Sequence, residues 1–241
     1  MIIGRKADTI GIRAIKGMDD LAAIFINDQF VETQVSPAEL DCLLADGWRH
    51  FGSEFFRYNL AVYDNEIRRV IPLRIRLSEF RPSQSQLRVL RKNADAEVTI
   101  GPVDVTREIE ELFDRHKLRF RQHPPESIYS FLSPDPTEVP CEMLQFTVAV
   151  NGRIVASSFF DVGEASLSGI YAVFDTAESG RSLGIFTMLK EIEYARAERK
   201  DFYYQGYSYS GDSFYNYKKR FHGTEAYHWN GVWAPFPRNG E

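Results

Sequence analysis

From Met143 onward the apolar pattern leaves few architectures open. Met143–Val150 and Ile154–Val162 are β-rich runs flanking Asn151-Gly152, the pair preferred in a two-residue type I′ hairpin, whose central residues both take positive φ. A third run, Ser166–Phe174, extends the pair into a meander. From about Ser179 to Arg199 the period becomes helical. Leu183, Phe186, Leu189 and Ile192 step along one stripe, with Ile185, Met188 and Ala195 beside it. Phe202–Tyr207 reads as a strand again, followed by a basic helical turn and a last strand near Tyr227–Trp233. An antiparallel meander, a helix and a returning strand specify an α+β core.

The part before it is mixed. Thr9–Ile15 alternates like a short strand. Ser36-Pro37-Ala38-Glu39 is a helix start: an N-cap serine, proline at the first helical position, and glutamate three residues on. Leu40, Leu43 and Leu44 form that helix's apolar stripe, and Gly47 can end it. Trp48–Ala61 and Arg69–Leu77 look strand-like. Gly101-Pro102 breaks the chain, so a smaller α+β N-terminal domain is expected over 1–100 and a C-terminal domain over 101–241. Thr106–Arg121 is helical, and the proline-bearing stretch His123–Pro140 reads as a lid or linker. His116 and His123 read as ordinary helix-side and loop residues, since no second ligand sits at metal spacing. At 44% hydrophobic and 14% aromatic residues the chain can build a proper core. It holds no run of 18 apolar residues and no secretory core near its start, so the expected compartment is the cytoplasm. Cys42 lies in a leucine stripe and reads as core packing. With Cys141 about a hundred residues away, neither a metal cluster nor a disulfide framework is expected.

The net charge of −5 means that contact with nucleic acid must come from local patches. Two are visible. Between Ile67 and Lys92 eight basic residues face one acid, Glu79. There Leu73, Ile75 and Leu77 alternate with Arg74 and Arg76, which places the arginines on the open face of a strand. Pro82 to Lys92 reads as a helix with a Ser83–Gln86 capping box and with Arg88, Arg91 and Lys92 on one face. The second patch is the tyrosine-rich run Phe202–Phe221, which closes on Tyr217-Lys218-Lys219-Arg220-Phe221. Aromatic faces beside fixed positive charge suit the exposed end of a single nucleic-acid strand.

The strand order is similar to a GNAT acyltransferase core. That superfamily carries Arg/Gln-x-x-Gly-x-Gly/Ala at the strand-to-helix junction, where backbone amides hold a pyrophosphate. Here the run is Arg181-Ser182-Leu183-Gly184-Ile185-Phe186; Phe186 is too bulky for close phosphate approach, so the expected donor is not coenzyme A. Further motifs resemble the aminoacyl-tRNA–protein transferases, the arginyl-transferases and their bacterial leucyl-transferase relatives. They are Ser168-x-x-Tyr171-x-x-Phe174-Asp175, Ser182-Leu183-Gly184, Ile192-Glu193-x-Ala195-Arg196, Tyr203-Tyr204-x-Gly206-Tyr207 and Tyr217-Lys218-x-Arg220-Phe221. Upstream, Gly47-Trp48-Arg49-His50-Phe51-Gly52, Pro72-Leu73-Arg74, Phe80-Arg81-Pro82-Ser83-Gln84-Ser85-Gln86 and Arg91-Lys92-Asn93-Ala94-Asp95 resemble the same family's first domain. The family's first domain normally carries cysteines for a metal or iron–sulfur centre; here Phe56-Arg57 is followed by Tyr58-Asn59-Leu60-Ala61-Val62-Tyr63, without one.

The resemblance implies transfer of an aminoacyl group, arginine or leucine, from a charged tRNA to the α-amine of a protein N-terminus with an acidic first residue, marking it for N-degron degradation. The expected partners are aminoacyl-tRNA and the acceptor N-terminus, with no membrane, no cofactor, no metal and a monomeric enzyme. The ester is activated and an α-amine has a pKa near 8, so orientation, an oxyanion contact and a proton path suffice. Asp175 is expected to hold the donor's α-ammonium or to position the attacking amine, with Asp161 a second candidate; Ser168 and Tyr171 lie on the third meander strand, and Tyr171 faces either cleft or core. Gln205 and Tyr207 are expected at the ester carbonyl, Lys218 and Arg220 at terminal phosphates, and Tyr207 or Tyr217 stacked on a base. Arg74, Arg76, Arg88 and Arg91 are expected at the acceptor stem or the acidic N-terminal residue. Two other readings fit the same residues: a GNAT enzyme with another acyl donor, and a silent tRNA- or peptide-binding paralogue.

Overall fold

The computed structural model describes residues 25–120 and 124–237; the expected strand at Thr9–Ile15 and His123 lie outside them. A small antiparallel sheet joins β1 (Asn27–Val31), β3 (Glu54–Tyr58) and β2 (Arg49–Phe51) in the order β1-β3-β2. Between β1 and β2 runs α1 (Pro37–Ala45), whose Ser36–Glu39 capping box is formed in both directions. The large sheet contains β4 (Leu60–Tyr63), β5 (Glu66–Arg76), β6 (Glu97–Pro102), β7 (Met143–Val150), β8 (Arg153–Val162), β9 (Ser166–Phe174), β10 (Phe202–Tyr209), β11 (Thr224–Tyr227) and β12 (Trp233–Pro235). Its order is β12-β11-β5-β10-β9-β8-β7-β6, with β4 paired to β5. Three helices flank it: α2 (Gln84–Lys92), α3 (Arg107–Lys117) and α4 (Leu183–Ala197).

The meander folds as its pattern requires. Val150 pairs with Arg153 across Asn151 (φ 52°) and Gly152 (φ 74°), the two positive φ values of a type I′ turn. Side chains alternate between its faces. Met143, Phe159 and Val173 pack against Ile109, Leu112 and Phe113 of α3, while Phe146 and Phe160 pack against Met188, Leu189 and Ile192 of α4. The chain then crosses through α4 and returns as β10, which lies parallel to β9. The α+β class and the GNAT-like core expected from the pattern are therefore present.

Several expectations change. Gly101-Pro102 does not interrupt the fold: Gly101 pairs with Gln145 and Pro102 with Leu144, on an edge strand where a missing N–H costs nothing. The division expected between residues 100 and 101 falls inside β6, and β5 from the N-terminal part sits between β10 and β11. One sheet thus runs through both parts. The last strand is a hairpin, β11 and β12, with Tyr227 paired to Trp233 across a turn at the centre of the expected strand. Residues 176–181 form a 3₁₀ turn, and Ser182 in the left-handed region (φ 55°) delays α4 to Leu183. Cys42 is exposed; it lies off the Leu40–Leu44 stripe that α1 buries. Among the described residues no helix is long and apolar enough to cross a membrane.

A cavity where two parallel strands part

Strands β9 and β10 pair only from Ser166↔Phe202 to Ser168↔Tyr204. Beyond that they diverge. On β10 the register slips between Tyr204 and Gly206, leaving Gln205 as the extra residue and Gly206 at φ +82°. Such a bulge re-aims side chains and ends pairing. A cavity of about 470 Å³ opens in the fork. Its walls come from β9 (Gly169, Tyr171), β10 (Gln205, Tyr207), α4 (Thr187, Glu191), the small sheet (Arg49, Tyr58) and the 3₁₀ turn at 214–220 (Tyr217, Lys218).

Arg49 ties the small sheet to the fork. Its Nη1 donates to Ser168 Oγ at 2.8 Å and its Nη2 to the Gly169 carbonyl at 2.5 Å. Ser168 in turn donates to Asp161 Oδ2 at 3.1 Å, and His50 Nε2 meets the same oxygen at 3.0 Å while its Nδ1 meets the Gly52 carbonyl at 2.8 Å. All of these side chains are buried, Asp161 and Ser168 completely. Burial pushes the Arg49 pKa down while the Asp161 charge pulls it up, so the guanidinium is a buried cation linked through Ser168 to a buried carboxylate. His50, Cys141 and Asp161 place three possible metal ligands within 4.8 Å of one another. Burial and the Asp161 charge push the Cys141 thiol up, which keeps its proton on sulfur.

Lys218 lies in the cavity wall, where Nζ donates to the Tyr207 carbonyl at 3.2 Å. Desolvation and the neighbouring Arg49 charge lower its pKa to about 7. The sign of the linkage follows. Below pH 7 both folded and unfolded chains carry the ammonium and the fold bears the full penalty; from pH 7 to 10.5 the unfolded chain binds more protons, so stability rises with pH. Lys218→Met is expected to be more stable than the parent at pH 6, by on the order of 2–4 kcal/mol, and the gap should close toward pH 10. Urea unfolding at the two pH values measures it; a gap that does not depend on pH contradicts the shift.

Two cavity groups have unmet hydrogen-bonding capacity. Gln205 Oε1 and Tyr171 Oη are buried without a partner among the described residues. The Tyr171 ring stacks on Phe131 with centroids 3.9 Å apart, and burial pushes its hydroxyl up to about 12. Tyr207 also lines the cavity but donates its hydroxyl to the Gly47 carbonyl at 2.6 Å, which fixes the ring in place.

The remaining expected site residues lie elsewhere. Asp175 caps the 3₁₀ turn at Ala177 N and pairs with Arg153 at 2.8 Å, so neither oxygen faces the cavity. Asp161 sits behind the wall, beneath Ser168. Arg74 is buried and Arg76 is only partly exposed, so the face expected to be open is largely covered. Both bind Glu225, at 2.7 Å each, and Arg74 packs over Phe202 and Trp233 because the terminal hairpin covers that face. Arg88, Arg91 and Arg220 are exposed on the surface, outside the cavity lining. Arg181 makes two bonds of 2.8 Å to Asp95 and a third to Glu178, so the arginine of the GNAT-like phosphate motif is occupied internally.

Sequence reasoning missed three cavity residues. Arg49 stood within a matched motif but had no assigned role. Arg119 lies over the rings of Phe120, Phe174 and Phe214 at 5.2, 5.0 and 4.8 Å, and no carboxylate among the described residues pairs with it. Glu191 carried a readable signal: it follows Met188 by three residues and precedes Ala195 by four, an acid inside the buried stripe of α4.

Residues 108–228 match the family model described as arginine-tRNA-protein transferase, C terminus. An aspartate/glutamate leucyltransferase of Xanthomonas campestris pv. campestris (strain B100) is 33% identical over 185 residues, covering 68% of this chain and 70% of that protein. One from Marinobacter nauticus (strain ATCC 700491 / DSM 11845 / VT8) is 31% identical over 197 residues, covering 78% and 79%. Among solved structures, the C-terminal domain of a putative lysylphosphatidylglycerol synthetase from Agrobacterium fabrum superposes with a TM-score of 0.49 at 16% identity, over 80% of this chain and 61% of that one. A family model matching half the chain, together with relatives one-third identical over two-thirds of it, shows that the chain belongs to the aminoacyl-tRNA–protein transferase family.

Proposed function

We propose that this protein transfers leucine from leucyl-tRNA to the α-amine of proteins that begin with aspartate or glutamate, in the cytoplasm, marking them for N-degron degradation. The observation that carries the reading is the composition of the fork cavity: Arg119 and Lys218, which no carboxylate among the described residues pairs with, stand beside an apolar wall. Arg119, caged by three phenylalanine rings, is a charge held ready for an incoming carboxylate. Ile170, Ala172 and Met188 give the wall a surface suited to a leucine side chain. The names of the relatives point to the same donor and acceptors.

In this reading the aminoacyl ester enters the fork and its carbonyl oxygen lies against Lys218, whose ammonium stabilises the developing oxyanion. The unmet Gln205 Oε1 and Tyr171 Oη supply an acceptor and a donor for the aminoacyl group and the terminal ribose. Tyr217 offers a face for the terminal base, and Arg88, Arg91 and Arg220 are surface charges for phosphates. The test incubates the protein with leucyl-tRNA or arginyl-tRNA and peptides beginning with Asp, Glu or Ala. Labelled leucine on the Asp and Glu peptides, with none on the Ala peptide, is expected. Arginine transfer replaces the donor assignment, and tRNA binding without transfer overturns the enzymatic reading.

A further inference from the structure

Glu191 is the one carboxyl among the described residues that line the cavity, and it is 3% exposed. Its Oε2 accepts from Tyr203 Oη at 2.5 Å. A Cβ on Gly169 would stand 2.7 Å from Tyr203 Oη and 3.2 Å from Glu191 Oε2, so the missing side chain at 169 is what leaves both groups open to the fork. No cation among the described residues forms an ion pair with Glu191. The titratable and charged groups nearby belong to other walls: Arg49 on β2, Lys218 and the Tyr217 phenol on the 3₁₀ turn, and His116 and Arg119 at the α3 end. A buried carboxylate without a counter-ion is costly, so such a group either keeps a proton or meets a cation that a ligand brings.

Resting on the transferase reading above, we propose that Glu191 is the catalytic proton acceptor for the α-ammonium of the acceptor N-terminus. Glu191 and Arg119 both line the cavity and carry opposite charge when ionised, a pair that matches an acidic N-terminal residue with its ammonium toward Glu191 and its carboxylate toward Arg119. The step balances as follows. One proton passes from the ammonium to the Glu191 carboxylate. The freed nitrogen lone pair forms the C–N bond at the ester carbonyl. The C–O bond to the terminal ribose then breaks, and its oxygen takes the second proton from nitrogen. Glu191 returns its proton to water once product leaves.

Burial raises Glu191 to about 7, against the neighbouring hydroxyls of Ser158 and Tyr203, which pull it down. That lies close beneath an α-amine near 8, the match that general-base transfer favours. The competing base in the wall is His116. Burial, with the Arg119 charge, lowers it to about 4, and its Nδ1 is committed to the Phe174 backbone, 3.0 Å from the carbonyl oxygen. It is the weaker candidate on both counts.

The test is the pH profile of kcat/KM for an Asp-initiated peptide at saturating leucyl-tRNA. In the wild type the rate should rise through an acid limb near pH 7. Glu191→Gln should lower kcat by about 100-fold or more, leave KM for tRNA unchanged, and replace that limb with one that follows the amine near pH 8. Tyr203→Phe removes a hydrogen bond that lowers the Glu191 pKa, so its acid limb should move upward; it also serves if the Gln variant does not fold. Thermal unfolding of each variant reports folding. No transfer by the wild-type enzyme overturns the transferase reading itself. An active wild type with a Glu191→Gln variant that keeps full rate, keeps the limb near 7 or changes only KM for tRNA overturns the assignment of Glu191 alone. So does an unmoved limb in Tyr203→Phe.

Discussion

Arg49→Ala is expected to lower the single-turnover transfer rate by about 10²–10³-fold and to destabilise the fold by about 3–5 kcal/mol. Both effects come from one side chain. Its removal leaves the Ser168 hydroxyl and the Gly169 carbonyl without their donor and takes away the buried positive charge that couples to Asp161. Those groups sit where β9 leaves β10, so losing them loosens the walls that hold a reacting ester in place. Arg49→Lys should recover little. A guanidinium reaches Ser168 Oγ and Gly169 O at once from two fixed nitrogens, whereas an ammonium is a point charge on a flexible stem. Urea unfolding and single-turnover transfer measure the two effects separately. A lysine variant with full rate and stability would sink the argument.

Where the sequence was readable, short-range chemistry decided the outcome. Asn151-Gly152 fixed a hairpin because two positive φ values are cheap there. Ser36 and Ser83 fixed helix starts because each cap closes within three residues. The α4 stripe was legible because one face is buried along its whole length. The misreadings arose where a distant segment decides the environment. Leu73, Ile75 and Leu77 do alternate inward, but the other face of β5 is closed by a hairpin some 150 residues later, so Arg74 is buried. Asp175 looked like a cleft acid by position; Arg153, 22 residues away, claims it. The role of Arg49 rests on contacts 119 and 120 residues away, which no local pattern encodes. Glu191 is the exception. An acid in the middle of a buried stripe is a readable conflict between pattern and chemistry, and such conflicts gather at functional sites.

The reassignment of Arg74 makes the second large prediction. Glu225→Ala is expected to destabilise the protein by about 3–5 kcal/mol without changing the salt dependence of tRNA binding. Glu225 is 4% exposed and takes Arg74 Nε on one oxygen and both Nε and Nη2 of Arg76 on the other. Without it, Arg74 keeps only a 3.3 Å contact to Tyr204 Oη and the faces of Phe202 and Trp233, at 3.8 and 4.4 Å. Cation–π contact replaces only part of a lost counter-ion, on the order of 0.5–2 kcal/mol. Arg76 is 40% exposed at its side chain and can turn to water, so the penalty falls on Arg74. The double variant Arg74→Met with Glu225→Met should therefore recover most of the loss, because removing both charges removes the buried orphan. Neither arginine meets a phosphate if this is right, so the slope of log K against log salt stays that of the wild type, whereas each lost phosphate contact would lower it by about one. Chemical denaturation of the three proteins and salt-titrated tRNA binding separate the cases. A slope reduced by one in the double variant would return Arg74 to the tRNA surface.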